Sequence, residues 1–130
     1  MKLLILGGTV FIGRHIVEQA LAAGHEVTLF NRGQSNPELF EDQVEKIVGD
    51  GNTDLEKLAG RKFDACIDPS GYLPGPVEAA GKALKDLVNR YVFISSISVY
   101  PEFKEPGMDE SSELNKLPSD VDKTVYGMQY

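Results

Sequence analysis

The 130-residue chain contains a single cysteine, no tryptophan and no long apolar run. Because Cys66 has no second cysteine to pair with, an internal disulfide is excluded, which fits a reducing compartment. Only four apolar residues follow Met1 and Lys2 before the first glycines, too few for the core of a signal peptide. No stretch is long enough to cross a bilayer. The sequence therefore predicts a cytoplasmic location and no membrane association.

Positive charge is also scarce in this chain. Lys and Arg number 13 against 20 Asp and Glu, which gives a net charge of −7. General binding to nucleic acid or to an anionic membrane needs clustered Lys and Arg, so the composition argues against both partners. The apolar content of 42% suits one globular domain with its own core.

Short apolar strands alternate with helical patterns between residues 3 and 95. The strands are continuous apolar runs, which is typical of a parallel sheet covered on both faces. Right-handed crossovers then favour a doubly wound α/β sheet with strand order 3-2-1-4-5. Predicted strands cover residues 3–6, 26–30, 44–48, 63–67 and 91–95, and predicted helices cover residues 11–23, 54–58 (with Thr53 as N-cap) and 76–88.

The composition changes at Pro101. Residues 101–120 are polar and acidic, which indicates a long surface loop, and residues 121–130 have the pattern of a helix that has just begun. Because a domain seldom ends on a half-built amphipathic helix, we expect the chain to be the N-terminal part of a longer protein.

A glycine-rich segment, GGTVFIG at residues 7–13, joins the first predicted strand to the first predicted helix. A helix start at a strand end directs backbone N–H groups and the positive end of the helix dipole to one point, which favours a phosphate. Gly13 would let the helix lie close to the strand. Val10 stands where such loops usually carry glycine, and a β-branched residue should avoid positive φ. We expect weaker or displaced phosphate binding rather than no site; a tight turn without a ligand is the alternative.

Polar residues follow the second and third predicted strands. Sites for NAD usually carry an acid near the end of the second strand, but here Asn31 and Arg32 stand there. A guanidinium can bind a 2′-phosphate with two donors, which favours NADP(H) over NAD; a solvated surface arginine is the alternative. Asp50 could accept a hydrogen bond from an adenine amino group, or it could simply close the turn Asp50-Gly51-Asn52.

Together these motifs resemble the extended short-chain dehydrogenase/reductase superfamily, in particular the NAD-dependent epimerase/dehydratase family. GGTVFIG is similar to its GGTGFIG, YVFISSISVY to its strand-five motif and DESSEL to the start of its substrate-side loop. The pattern is nearest to reductase-like proteins whose loop reads GGTRFIG, among them chloroplast stem-loop-binding proteins. The resemblance implies a Rossmann-like dinucleotide-binding domain over residues 1–130, without the later strands and the substrate lobe.

The resemblance also implies a catalytic serine, a tyrosine and a lysine four residues after that tyrosine. Aligning the VY pair places the serine at Ser96, beside Ser95. Tyr126 is followed four residues later by Tyr130 and not by lysine, so Tyr130 is the candidate, with its lysine falling beyond the sequence. In the family the lysine lowers the tyrosine pKa so that the phenol exchanges a proton with an alcohol or carbonyl. The alternatives are a strand-end serine and an ordinary helix aromatic.

The sequence thus predicts the NAD(P)-binding domain of an oxidoreductase or epimerase/dehydratase that acts on a carbonyl or alcohol, such as a nucleotide sugar. NADP(H), or else NAD, is the expected cofactor, no metal is expected, and the piece alone should bind cofactor better than it turns over substrate. A homodimer is implied by the family, to which helix 76–88 could contribute. The alternatives are a non-catalytic NADP-sensing regulator and an RNA-binding protein of the stem-loop-binding type. Predicted cofactor-binding residues are Gly7, Thr9, Val10, Phe11, Ile12, Gly13, Asn31, Arg32, Asp50, Gly51, Pro69, Ser70, Gly71 and Ser95, and predicted catalytic residues are Ser96 and Tyr130.

Overall fold

The computed structural model describes residues 1–101 and 106–116. Its strands are β1 (Lys2–Leu6), β2 (Glu26–Asn31), β3 (Glu45–Val48), β4 (Ala65–Asp68) and β5 (Tyr91–Phe93), and its α-helices are α1 (Phe11–Ala22) and α2 (Pro74–Leu84). All four strand pairings are parallel, in the order β3-β2-β1-β4-β5. The predicted α/β class and strand order are confirmed.

The central strand β1 is buried on both faces because successive side chains of a strand point to opposite sides. Leu3 and Ile5 pack with Val17 of α1 in one apolar cluster. Leu4 and Leu6 pack in a second cluster on the other face, which includes Leu84 of α2 and Leu58 of a short 3-10 helix. The sheet therefore has an apolar layer on each side, which explains why its inner strands show no alternation of polar residues.

Helix α1 ends where the sequence predicted, because Gly24 takes the left-handed conformation (φ 75°) just after it. The Gly24 N–H donates to the Leu21 carbonyl at 2.9 Å, and the His25 N–H donates to the Ala20 carbonyl at 3.0 Å. These bonds satisfy carbonyls that the last helical turn leaves open. The chain then turns directly into β2.

Strand β4 lies later than predicted, over Ala65–Asp68 instead of residues 63–67. Phe63 forms only an isolated bridge with Val88. The strand continues to Asp68, whose backbone pairs with Phe93. A charged residue can end this buried strand because its carboxylate is fully hydrogen-bonded, as described below.

Helix α2 begins earlier and ends earlier than the predicted helix 76–88. Pro74 occupies the first turn, where the missing N–H of proline is no disadvantage. After Leu84 the chain forms a turn, with the Leu87 N–H donating to the Leu84 carbonyl at 2.9 Å. Leu87 and Val88 still pack against the core from this turn, so their apolar character extended the helical pattern without extending the helix.

The short predicted helix at residues 54–58 is a 3-10 helix over Leu55–Leu58, and Thr53 is not its N-cap. Asp54 takes that position, and the Thr53 hydroxyl donates to the Asp54 carboxylate at 2.8 Å. A second 3-10 helix covers Ile97–Val99. Leu55 and Leu58 of the first 3-10 helix are buried, which anchors the segment between β3 and β4 against the sheet.

The predicted surface loop is confirmed for residues 106–116, which form turns and irregular backbone. Residues 102–105 and the predicted helix start at 121–130 lie outside the described residues. In the part of the chain that is described, no helix has the length and apolar content needed to span a membrane.

Candidate functional site

A cleft of about 550 Å³ opens at the carboxyl ends of the parallel strands. Its walls are the loops that follow β1, β2, β3 and β4, at residues 7–13, 31–35, 49–52 and 68–73. The chain leaves β1 toward β2 on one side and later pairs β4 on the other side, so the cleft lies where the strand order reverses. Open α/β sheets bind ligands at this position. Predicted site residues that line the cleft are Gly7, Thr9, Val10, Phe11, Ile12, Gly13, Asn31, Arg32, Asp50, Gly51, Pro69, Ser70 and Gly71.

The glycine loop is shaped by close contacts that leave no room for side chains. Gly7 and Gly8 have φ of 94° and 93°, which L-residues with a Cβ rarely adopt. A Cβ on Gly8 would lie 2.7 Å from Leu29 Cδ2, and a Cβ on Gly13 would lie 3.1 Å from the Gly8 backbone nitrogen and Cα. The start of α1 therefore lies directly on the loop, as the sequence predicted for Gly13.

Val10 fits the loop without the backbone strain that its β-branch would suffer at positive φ. It is extended, with φ −133° and ψ 140°, at the N-cap of α1. The left-handed residue is instead Phe11, with φ 40°. Both side chains are exposed along the cleft, Val10 at 56% and Phe11 at 79%. The departure from the usual glycine thus places an apolar side chain at the mouth of the loop and leaves the backbone turn intact.

The N-terminus of α1 faces the cleft with a positive electrostatic end. The first turn of any α-helix leaves its N–H groups without helical partners, and the helix dipole adds partial positive charge there. The first turn, Phe11 to Arg14, contains no acid. Arg14 is not a free cation, because its Nε donates to Glu18 at 2.8 Å, and this bond lowers the pKa of Glu18. The backbone therefore supplies the local attraction for an anion.

The side chain of Asn31, at the end of β2, holds the backbone of the cleft by two hydrogen bonds. Its Nδ2 donates to the Gly7 carbonyl at 2.8 Å, and its Oδ1 accepts from the Gly33 N–H at 2.9 Å. Both ends of the side-chain amide thus connect loops. Asn31 therefore supports the glycine loop, a role that the sequence did not predict; its predicted contact with the ribose end of a cofactor stays a prediction.

Arg32 differs from several other cations of the chain, which are held in ion pairs. Three cations pair with carboxylates: Lys57 with Asp54 at 2.9 Å, Arg61 with Glu45 at 2.7 Å and Arg14 with Glu18 at 2.8 Å. Within residues 1–101 and 106–116, Arg32 makes no ion pair or hydrogen bond, and it is exposed on the cleft wall. Its guanidinium is available for an anion at the β2 side of the cleft.

Asp50 closes the turn after β3. Its Oδ1 accepts from both the backbone N–H and the Nδ2 of Asn52, each at 2.8 Å. The Asp50 N–H donates to the Asp54 carboxylate at 3.2 Å. Hydrogen bonds from the Lys57 ammonium, the Thr53 hydroxyl and the Asp50 N–H together lower the pKa of Asp54 to about 2. One oxygen of Asp50 therefore has the turn role that the sequence left as the alternative.

Asp68 is a cleft residue that sequence reasoning missed. It is 2% exposed, and its Oδ1 accepts from both the N–H and the hydroxyl of Ser70 at 2.8 Å. Its Oδ2 accepts from the Tyr91 hydroxyl at 2.5 Å. The carboxylate thus fixes the loop after β4 to strand β5. An acid that ends an otherwise apolar strand was the available signal.

Ser95 and Ser96 follow β5 at the same edge of the sheet but do not line the described cleft. Ser96 caps the second 3-10 helix: its Oγ accepts from the Ser98 N–H and donates to the Ser98 Oγ, both at 3.1 Å. Tyr126 and Tyr130 lie outside the described residues. The catalytic pair Ser96 and Tyr130 therefore stays a prediction.

Metal ligands do not gather in the described ranges, where no group of three or more His, Cys, Asp or Glu side chains is clustered for an ion. His15 lies on the surface of α1, with its Nδ1 3.1 Å from Glu18 Oε2. Cys66 is buried in β4, where burial first and the charge of Asp68 second raise the pKa of its thiol. A protonated, buried thiol is a poor nucleophile.

Comparison with known proteins identifies the family. A sequence profile of the NAD dependent epimerase/dehydratase family matches residues 3–70. The chain belongs to this family. The match covers β1 to the loop after β4, which is the part that builds the cleft.

Individual relatives agree with this assignment. The chain is 34% identical over 132 aligned positions to the chloroplast stem-loop binding protein of 41 kDa b from Arabidopsis thaliana, covering 85% of this chain and 35% of that protein. It is 27% identical to the crystal structure of a nucleoside-diphosphate-sugar epimerase from Pseudomonas aeruginosa, with a TM-score of 0.74, covering 97% of this chain and 44% of that one.

A UDP-glucose-4-epimerase from Stenotrophomonas maltophila, solved with NAD and formylated UDP-arabinopyranose, shares the fold at a TM-score of 0.76 and 18% identity. That comparison covers 88% of this chain and 43% of the epimerase. The chain thus spans about a third of the length of the plant relative and less than half of either epimerase.

We expect Tyr91→Phe to destabilise the protein by about 1–3 kcal/mol, because it removes a donor from the buried Asp68 carboxylate. Urea unfolding at neutral pH measures the change. Tyr100→Phe is the matched control: its hydroxyl makes only a long bond of 3.3 Å to the Asp109 carbonyl at the surface. The control should change the free energy of unfolding by less than about 0.5 kcal/mol. Equal effects of the two substitutions would contradict the role given to Tyr91.

We also expect stability to fall at alkaline pH. Burial, followed by the hydrogen bond to Asp68, raises the pKa of the Tyr91 phenol, and burial raises the pKa of the Cys66 thiol. In the unfolded chain these groups ionise near their ordinary values, about 8.5 for thiol and about 10 for phenol. Above about pH 8.5 the native state therefore holds more protons than the unfolded state, and the free energy of unfolding declines as pH rises.

Urea unfolding at pH 7, 9 and 10.5 tests this pH dependence. The decline should be smaller in Tyr91→Phe over the upper part of the range, because that variant lacks the phenol. A constant free energy of unfolding from pH 7 to 10.5 would show that the two groups ionise alike in both states.

Proposed function

We propose that the chain is the cofactor-binding domain, and the N-terminal part, of an NAD(P)-dependent oxidoreductase or epimerase/dehydratase. The observation that carries the proposal is the convergence on one cleft of the glycine loop, the N-terminus of α1 and Arg32, which has no partner among the described residues. A longer protein is proposed because the chain spans only 35% to 44% of the relatives compared above. The substrate we propose is a small molecule with a carbonyl or alcohol, such as a nucleotide sugar.

The residues of the cleft fit a dinucleotide. The loop at residues 7–13 would hold the pyrophosphate, because its glycines let backbone N–H groups approach closely and α1 adds its dipole. Arg32 would bind the 2′-phosphate, with Asn31 beside it. Asp50 and Gly51 would flank the adenine. The remaining wall, Pro69, Ser70 and Gly71, with Ser95 beyond it, would border the nicotinamide end.

The bound nicotinamide supplies hydride transfer. In the proposed reaction Ser96 orients the reacting oxygen of the substrate by hydrogen bonding, and Tyr130 gives or takes its proton. The Ser96 Oγ lies in the exposed segment after β5 and can reorient, since its partner is the neighbouring Ser98. The apolar side chains of Val10 and Phe11 would help to shield the cofactor from water.

We propose NADP(H) in preference to NAD on the basis of Arg32 alone. An acid at the end of β2 would repel a 2′-phosphate, and the amide of Asn31 carries no charge. The Stenotrophomonas epimerase, which shares this fold, was solved with NAD. The choice between the two dinucleotides depends on the residues at the end of the second strand, where this chain carries Asn31 and Arg32. A cytoplasmic location and a homodimer also stay predictions; the plant relative is named as chloroplastic.

Parallel calorimetric titrations with NADPH and NADH test the proposal. We expect NADPH to bind more tightly, and Arg32→Ala to weaken NADPH binding about tenfold because a charge-assisted contact is lost. NADH binding should change little in that variant. Arg90→Ala is the matched control, since Arg90 is an exposed arginine at the opposite, amino-terminal edge of β5.

Two results would contradict the cofactor preference: equal affinity for NADPH and NADH, or equal NADPH affinity in wild type and Arg32→Ala. Absence of binding by a folded chain would overturn the site itself. In that case Val10 at the mouth of the loop is the first residue to replace with glycine.

RNA binding is a second candidate, favoured by the 34% identity to a stem-loop binding protein. The net charge of −7 opposes it, because binding to nucleic acid depends on Lys and Arg contacts with phosphates. In a gel-shift experiment with a structured RNA at moderate salt we expect no saturable complex. A tight, saturable complex that NADPH does not displace would favour RNA binding over the enzymatic function.

A further inference from the structure

Two asparagine side chains donate to two carbonyls of the glycine loop, those of Gly7 and Thr9. Asn31 Nδ2 donates to the Gly7 carbonyl and Asn36 Nδ2 to the Thr9 carbonyl, each at 2.8 Å. Both bonds are partly buried and join residues 24 and 27 positions apart. The donors come from the end of β2 and from the segment that follows it, on either side of Arg32.

A carbonyl whose direction is set by a hydrogen bond also sets the direction of the N–H in the same peptide plane. The trans peptide is planar, so the N–H of the next residue points opposite to the carbonyl. The bond to Gly7 therefore sets the orientation of the Gly8 N–H, and the bond to Thr9 sets that of the Val10 N–H. The two asparagines thus determine how the loop presents its backbone donors.

The chemistry of both positions suits an asparagine. Asn36 has φ 44°, a left-handed conformation that asparagine tolerates better than most residues. Asn31 must donate to Gly7 and accept from Gly33 at the same time, which a carboxylate could not do. The segment that carries Asn36 is itself anchored, because the Leu39 N–H donates to the Asn36 carbonyl at 3.1 Å and Phe40 is buried.

We propose that Asn31 and Asn36 are positioning residues that clamp the glycine loop to the segment bearing Arg32. The clamp keeps the loop donors and the backbone of Arg32 at a fixed spacing, so that one diphosphate-containing ligand can contact the loop and be reached by the Arg32 side chain. The consequence for the ligand rests on the proposed function; the consequence for the loop does not.

The test removes each donor without adding a charge. Asn36→Gly keeps the left-handed backbone accessible, and Asn31→Leu is close in shape to the native side chain. Asn89→Gly is the control, an exposed asparagine before β5 at the opposite edge of the sheet. Each variant is titrated with ADP and with adenosine, and its backbone order parameters and melting temperature are measured.

We expect ADP affinity to fall about fivefold in Asn36→Gly and in Asn31→Leu, consistent with one lost hydrogen bond to the loop. Adenosine affinity should change less than about twofold, a selective loss that general destabilisation would not produce. The order parameters of Gly8 and Val10 should decline from about 0.85 toward about 0.6. The control should leave all of these quantities unchanged.

Unchanged ADP affinity in both variants, in a chain whose wild type binds ADP, would overturn the clamp while the proposed function stands. If the wild type binds neither ADP nor NADPH, the proposed function fails, and the order parameters alone decide the clamp. Greater mobility of Gly8 and Val10 in the variants then supports it, and unchanged mobility refutes it.

Discussion

The direct packing of helix α1 on the glycine loop is the contact on which the cleft depends. The Gly13 position touches the Gly8 backbone, and Gly8 in turn touches Leu29 of β2. Loop, helix start and neighbouring strand therefore form one tightly packed stack. A side chain at position 13 would press on the Gly8 backbone and shift the N-terminus of α1, with the N–H groups that face the cleft, while one at position 8 would be strained by its positive φ and would displace the Leu29 side chain.

Around that stack, polar side chains are used to hold the loops in place. In the described part of the chain no buried side-chain nitrogen or oxygen lacks a hydrogen-bond partner, as a low-dielectric environment requires. Asn31 joins the loops after β1 and β2, and Asp68 joins the loop after β4 to β5. Arg32 is left unpaired within the described ranges because it is exposed and solvated. Among the described residues that line the cleft, positive charge for a ligand comes from the N-terminus of α1 and from this guanidinium.

Element types followed from the sequence more reliably than element ends. The run LLIL is apolar throughout and VTLF is interrupted only by Thr28, which indicates inner strands, and Gly24 marked the end of α1. The predicted end of α2, at residue 88, was wrong because Leu87 and Val88 continue the apolar spacing of the helix but pack against the core from a turn. The predicted end of β4, at residue 67, was wrong because a buried aspartate is unexpected in an apolar strand. The Tyr91 hydroxyl, which donates to the Asp68 carboxylate, makes its burial possible. Catalysis by Ser96 and Tyr130 stays a prediction, since Tyr130 lies outside the described residues.

The sequence by itself determined the α/β class and the cleft-forming glycine loop, because apolar runs and glycine spacing are short-range properties, and it determined the strand order through the handedness rule for parallel crossovers. Only the tertiary structure decided that Val10 is extended and Phe11 left-handed, that Asn31 supports the glycine loop, and that Asp68 connects β4 to β5. The roles of Asn31 and Asp68 depend on hydrogen bonds between residues more than 20 positions apart. Such partners meet only when the parallel strands bring their carboxyl ends to one edge.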